Sequence, residues 1–267
     1  MTHERHEPSS ALPVFGSHMD TSFLSLLDQH GMTPSWTLAG NPDVSAIPEA
    51  TTILAIQYAG GVVMAGDRRA TAGNVIAHTK MKKVYPADKF SAVAISGTAG
   101  MAVEMIKLFQ TELEHYEKIE GMRLSLEGKA NYLARMVRGN LSLAFQGLVV
   151  VPLFCGYDEH DQTGRLYTFD VVGGRYEEDR YAATGSGGTE ARSFLKGVYE
   201  ADASEETAMR WAVEALIAAA EEDAATGGPD IRRGIFPTVV VVGSEGFREI
   251  SDDALAPLAA SILENRP

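Results

Sequence analysis

Cysteine is almost absent from this chain: Cys155 is the only one in 267 residues, so no disulfide can form within it. Its setting, VVVPLFCGYD, reads as a buried strand in which the thiol packs as a small apolar group, because a reactive cysteine needs an electropositive, partly open site. Basic residues are scarce as well. The 23 Lys and Arg stand against 36 Asp and Glu, giving a formal net charge of -13 and a pI near 5.0. That balance excludes nucleic acid and anionic membrane as partners, since both reward clustered Lys and Arg. No apolar run approaches the roughly 20 residues of a membrane span. The short FLSLL stretch near the start is too brief for the core of a signal peptide. The expectation is a cytoplasmic protein.

What is present is enough apolar material, 45% of residues, to build a real core as one large domain or two small ones. Residues 1–50 stand apart: they are rich in Pro, Ser, His and Asp, and show no sustained period beyond a patch from Phe23 to Leu27. They read as a flexible leader, and His3 and His6, without cysteine partners, do not make a metal site.

From Thr51 the pattern tightens. TILAIQY and GVVMAGD are β-rich runs separated by Ala59, Gly60 and Gly61, which suits a hairpin, and FSAVAISG is another strand. Met101, Met105, Ile106, Phe109, Leu113 and Tyr116 recur at helical spacing, predicting an amphipathic helix over Met101–Lys118. Leu133, Val137, Leu141 and Phe145 predict a second, over Leu126–Gln146. Strands follow at 148–157 and 165–171, helices near 189–199 and 205–225, the TVVVVG strand, and a closing helix over 251–264. Asp202 with Glu205 resembles a capping box. Strands in blocks followed by helices in blocks suit an α+β protein with stacked antiparallel sheets covered by helical layers better than alternating βαβ units.

Three stretches could carry chemistry. GSGGTE at 185–190 is a glycine-rich turn before a helix, able in principle to cradle phosphate, but it lacks the Lys-Ser/Thr of a P-loop and the spacing of a dinucleotide fingerprint. In GDRR an acid sits beside two arginines, where the plain reading is a surface salt bridge, and Lys82 with Lys83 alone would be an ordinary solvated pair.

Taken together these stretches become specific. TTILAIQY, GGVVMAGDRRATAGN, KMKKVY, AISGTAG, ELEHYEK, TGSGG and DAATGGPD occur in an order and at spacings that resemble proteasome β-subunits, with ELEHYEKIEG and ATGGPD most similar to the actinobacterial branch. The resemblance covers essentially all of residues 51–267. It implies a four-layer αββα sandwich of two antiparallel sheets between helical layers, the Ntn-hydrolase fold. It further implies a precursor that cuts itself between Ala50 and Thr51, releasing residues 1–50 as a propeptide and freeing an N-terminal threonine. Carrying the family motif onto the chain makes Thr51, rather than Thr52, the first residue, since only then do the acid of GDRR and the second lysine of KK fall into place. Asp67 then orients Lys83, whose ammonium favours the Thr51 alkoxide by charge. The Gly97 N–H stabilises the oxyanion, and Ser186 and Asp223 hold the Thr51 amine with a proton-shuttling water, supported by the Thr226 hydroxyl. Ala70, Met81, Tyr85, Ile95 and Ala99 line the pocket for the residue before the cut, while Thr71, Gly97 and Ala99 pair with an extended substrate backbone. Two positions depart from the family pattern: Thr226 stands where many relatives have serine, and Ala50 where glycine is common.

The resemblance also implies a seven-membered β ring, paired in a four-ring barrel with α-subunit rings, fed with unfolded proteins by an ATP-dependent unfoldase. No cofactor is implied, because an amine, a hydroxyl and a lysine suffice for acyl transfer. Three rival readings come from other classes: a non-catalytic structural ring subunit, the shorter two-ring bacterial heat-shock threonine protease, and a nucleotide-binding module. The simultaneous presence of all six catalytic-position residues argues against the first. Arg68-Arg69, DAATGGPD and the longer body argue against the second.

Overall fold

A computed structural model describes residues 51–72 and 75–266. The leader, with His3, His6 and Ala50, and therefore the expectations of flexibility and self-cleavage there, lies outside the described residues.

The chain opens with β1 (Thr52–Tyr58) and β2 (Gly61–Gly66), then β3 (Ala70–Ala72), β4 (Val75–His78), β5 (Val84–Asp88) and β6 (Ser91–Gly97). Two helices and a short helical turn follow: α1 (Ala99–Glu120), α2 (Leu126–Gly139) and α3 (Leu141–Ala144). Then come β7 (Val150–Asp158), β8 (Thr163–Phe169), β9 (Arg175–Glu178) and β10 (Tyr181–Gly185), and the helices α4 (Gly188–Val198) and α5 (Glu205–Glu222). The last elements are β11 (Thr238–Gly243), β12 (Gly246–Glu249) and α6 (Asp252–Glu264).

One five-stranded sheet has the order β10-β1-β2-β11-β12 and a second the order β5-β6-β7-β8-β9, with β3 and β4 forming a separate ribbon. Every pairing is antiparallel. Successive side chains of a strand point to opposite faces, and here both faces are covered. Ile53 and Ala55 of β1 join Val62, Met64, Ala94, Leu153 and Val240 in a core between the two sheets. Leu54 and Ile56, one residue out of phase, pack with Leu195, Leu216 and Leu255 of α4, α5 and α6. On the far side, Val93 and Ile95 of β6 pack with Met105, Phe109 and Leu133 of α1 and α2. Three apolar interfaces thus separate four layers, the αββα sandwich of the Ntn-hydrolase fold. Cys155 lies in the interface between the sheets, fully buried, and that burial pushes its thiol well above the ordinary range.

Four local expectations are corrected. The second helix stops at Gly139: the following Asn140 sends its amide to the Arg138 and Val137 carbonyls, and after the α3 turn Phe145 is exposed instead of continuing the buried stripe of Leu133 and Val137. The stripe on α1 is buried only from Ala102 to Leu113, leaving Tyr116 at the surface. The cap of α5 is Ser204, whose hydroxyl accepts from the Thr207 amide at 3.2 Å, and not Asp202. Finally, α5 ends at Glu222, making Asp223 its C-cap.

Candidate active site

The ends of β1, β2, β6 and β10 meet at one edge of the sandwich, where Ile53 pairs with Gly66 and Thr52 with Gly185. Asp67 directly follows β2 and is fully buried. Each of its carboxylate oxygens accepts two hydrogen bonds: Oδ1 from the Thr52 amide at 2.8 Å and Lys83 Nζ at 2.6 Å, Oδ2 from the amides of Arg69 at 2.8 Å and Gly227 at 3.0 Å. Lys83 is only 2% exposed, and its ammonium also donates to the Arg69 carbonyl at 2.5 Å. Burial pushes this ammonium below the usual lysine value, an effect that the Asp67 charge opposes.

Asp67 therefore pairs with Lys83 rather than with the arginines beside it. Arg68 turns away to grip Asp252, its Nη1 and Nη2 donating to Oδ2 and Oδ1 at 3.2 and 2.9 Å, and Arg69 Nη1 donates to the Ala224 carbonyl at 2.8 Å. The two adjacent lysines also part company. Lys82 is a surface residue paired with Glu249, whereas Lys83 is among the most buried polar groups described.

A second group of polar residues adjoins Thr51 through Ser186. The Ser186 amide donates to the Thr51 carbonyl at 3.0 Å, and Ser186 Oγ donates to Asp223 Oδ2 at 2.5 Å. The same carboxylate oxygen accepts from Thr226 Oγ1 at 2.6 Å, and Oδ1 accepts from the Ala225 amide at 3.0 Å. Burial raises the Asp223 carboxyl, but the Ser186 and Thr226 hydroxyls, the Ala225 amide and the Lys83 charge outweigh it and hold the group below its ordinary value. Gly185 has φ +99°, and a Cβ there would collide with the Thr51 carbonyl oxygen. The glycine-rich turn at 185–190 thus serves to bring the chain hard against Thr51, with the Gly187 amide donating to Thr52 Oγ1 at 2.9 Å.

Thr51, 4% exposed, lines a small cleft together with Met81, Lys83, Tyr85, Ile95, Gly97, Ala99 and, unanticipated from sequence, Val103. Gly97 ends β6 with φ +109°, a conformation that favours glycine, and a Cβ there would strike the Val149 carbonyl. The cleft adjoins a larger open cavity of about 660 Å³ that shares Met81, Ala99 and Val103 and adds Ala70, Ala77, His78 and Lys80. Tyr85 directs its hydroxyl to the Lys82 carbonyl at 2.7 Å, leaving a mostly apolar lining. Thr71 lies half-buried on β3 and lines neither cavity. Among the described residues no group of His, Cys, Asp and Glu could hold a metal ion, and no helix is long and apolar enough to cross a membrane.

Sequence reasoning missed the backbone donors that complete the Asp67 site and the side-chain role of Thr52, whose hydroxyl sits 2.5 Å from that of Thr226. The only sequence signal for Thr52 is a second threonine at a strand start, which by itself reads as β-propensity.

Comparison with known proteins supplies the family. The family described as Proteasome subunit matches residues 47–231. Proteasome subunit beta of Streptomyces griseus is 58% identical over 219 residues, covering 82% of this chain and 78% of that protein. Proteasome subunit beta of Acidimicrobium ferrooxidans is 53% identical over 254 residues, covering 94% and 93% respectively. Proteasome subunit beta of Acidothermus cellulolyticus is 53% identical over 224 residues, covering 82% and 77%.

Proposed function

The chain belongs to the proteasome subunit family, on its actinobacterial β-subunit side, and from that premise we propose that it is a threonine endopeptidase that cuts unfolded proteins. One observation carries the reading: Lys83, held in a fully buried ion pair with Asp67 2.6 Å across, lines the same cleft as Thr51. Burying two charges costs several kcal/mol per ion. A pair maintained at that cost, beside a hydroxyl and an apolar cleft, suits a site that must stabilise developing negative charge.

In the proposed reaction the bond before Thr51 is first cut, releasing residues 1–50 and leaving Thr51 with a free α-amine. That amine, with an ordinary pKa of roughly 7.7–8.0, takes the Thr51 hydroxyl proton as Oγ1 attacks the substrate carbonyl carbon. A C–O bond forms and the carbonyl oxygen becomes an oxyanion, held by the Gly97 N–H. Lys83 stabilises the attacking oxygen by charge, and Asp67 orients Lys83. The protonated amine then gives its proton to the departing peptide nitrogen, the C–N bond breaks, and an ester to Thr51 remains. Water, deprotonated by the same amine, hydrolyses that ester and restores the hydroxyl. Ser186 and Asp223 hold the amine in place. Amine, hydroxyl and lysine supply every proton and charge this scheme needs.

The apolar lining from Ala70, Met81, Tyr85, Ile95 and Ala99 favours apolar and aromatic residues before the cut, since a charged side chain would be desolvated there without a partner. The family premise extends the proposal to a cytoplasmic assembly: a seven-membered β ring, paired within a four-ring barrel between α-subunit rings and supplied by an ATP-dependent unfoldase. Thr51→Ala, co-assembled with a matching α-subunit, should lose peptide hydrolysis while its rings still form. Retained turnover in that variant would refute the assignment.

A further inference from the structure

Asp223 occupies an electrostatically poor position. It is the C-cap of α5, where the helix dipole presents partial negative charge, and the last turn of that helix contains no basic residue. The groups that offset this determine where the carboxylate points. The single proton of each hydroxyl fixes how they are ordered.

A hydroxyl carries one proton. Thr226 Oγ1 gives its proton to Asp223 Oδ2 at 2.6 Å. It therefore has none left for Thr52 Oγ1, only 2.5 Å away, and must accept there. Thr52 is the donor, and its oxygen in turn accepts the Gly187 amide at 2.9 Å. The result is a one-way chain: Gly187 N–H to Thr52, Thr52 O–H to Thr226, Thr226 O–H to the Asp223 carboxylate. All the links run downhill toward the charge, the arrangement in which hydrogen bonds polarise and reinforce one another. Thr52 is fully buried and so is Thr226, so water does not substitute for either hydroxyl.

Thr52 is tied just as firmly to the other carboxylate. Its amide donates to Asp67 Oδ1 at 2.8 Å, and its carbonyl accepts the Asp67 amide at 3.1 Å. The residue next to Thr51 thus links the Asp67–Lys83 pair to the Asp223–Ser186 pair through its backbone on one side and its side chain on the other. We propose that Thr52 is a positioning residue whose hydroxyl heads the hydrogen-bond chain that fixes the Asp223 carboxylate beside Ser186 and Thr51. The inference rests on the peptidase reading for its effect on rate, but its effect on Asp223 is independent of that reading. The other groups facing Asp223 are the Ser186 hydroxyl, the Ala225 amide, the Lys83 ammonium and, one residue along, the Arg69 guanidinium on the Ala224 carbonyl. A change at Thr52 leaves all of these in place.

The test compares Thr52→Val, which removes the hydroxyl at nearly constant volume, with Thr52→Ser, which keeps it. Asp223 titration is followed in the full-length chain by carboxyl NMR, with the resonance identified through Asp223→Asn. In Thr52→Val, Asp223 should titrate at higher pH than in wild type, because Thr226 donates less strongly once it no longer accepts; Thr52→Ser should restore the wild-type titration. In the assembled particle, Thr52→Val should lower kcat about tenfold, a loss of one orienting interaction, with KM within about twofold. The acidic limb of its pH–rate profile should move upward in step with Asp223, and Thr52→Ser should recover both. Unchanged Asp223 titration in Thr52→Val, or a shift that Thr52→Ser does not reverse, overturns the proposal. Absence of hydrolysis by the wild-type particle would instead overturn the peptidase reading, while the titration still decides the role of Thr52.

Discussion

Removing either member of the buried ion pair should have unequal consequences, and the inequality is set by who else holds Asp67. In Lys83→Met the ammonium is lost, but the Asp67 carboxylate keeps its three backbone donors, the amides of Thr52, Arg69 and Gly227. Breaking a buried pair costs about 3–5 kcal/mol, and with three of four hydrogen bonds intact the low end, about 3 kcal/mol, applies. For a domain of this size that lowers the melting temperature by about 6–12 °C. In Asp67→Ala the same three amides lose their acceptor together, each at about 1–3 kcal/mol, and Lys83 is left buried without its carboxylate. The total exceeds about 5 kcal/mol, a large part of the 5–15 kcal/mol that typically holds a domain together. Lys83→Met should therefore fold and assemble yet hydrolyse peptide about 10²–10³-fold more slowly, the scale of losing one electrostatic stabiliser. Asp67→Ala should melt far lower or fail to accumulate. Thermal melts of both chains, with peptide turnover of the assembled particles, separate the cases. Equal melting temperatures for the two variants, or wild-type kcat in Lys83→Met, would refute the reasoning.

Two further outcomes follow from the site. Because burial lowers the Lys83 ammonium from its ordinary 10.5, the alkaline limb of the pH–rate profile should fall below pH 10.5; by linkage, the charged lysine costs stability below its folded-state value, and that cost disappears as pH rises toward 10.5. Activity that stays level past that point would contradict the requirement for a charged Lys83. Fluorogenic peptides differing only in the residue before the cut should be cleaved fastest after apolar or aromatic residues, and fastest cleavage after Arg or Asp would contradict the apolar lining from Met81, Ile95 and Ala99.

Much of the fold is legible because the central strands are buried on both faces. TILAIQY and TVVVVG carry apolar residues at nearly every position, which is what two covered faces require. Less visible are β4, whose residues are all exposed, and β9, written RYEE, because neither shows apolar alternation. The α2 boundary is illegible for a different reason: the four-residue repeat through Leu141 and Phe145 continues past the helix end at Gly139 and Asn140, which depends on backbone geometry. At the site, the residue types at 51, 67, 83, 97, 186 and 223 are evident in the sequence through family motifs. The energetics are not. Nothing local marks Lys82 as exposed and Lys83 as buried, since that depends on Val84 entering the core between the sheets. A hydroxyl pair separated by 174 residues, as Thr52 and Thr226 are, leaves no spacing to read. The backbone amides that hold Asp67 come from three separate segments and carry no side-chain signature at all.

The central claim is that Thr51 acts as a freed N-terminal nucleophile, and the most direct measurement is intact mass with N-terminal sequencing of the β chains in an active particle assembled with a matching α-subunit. The account expects a chain beginning at Thr51, with Met1 to Ala50 released, and expects Ala50→Gly to reach that form sooner without changing the turnover of the mature enzyme. An active particle in which residues 1–50 remain attached to every β chain would contradict it.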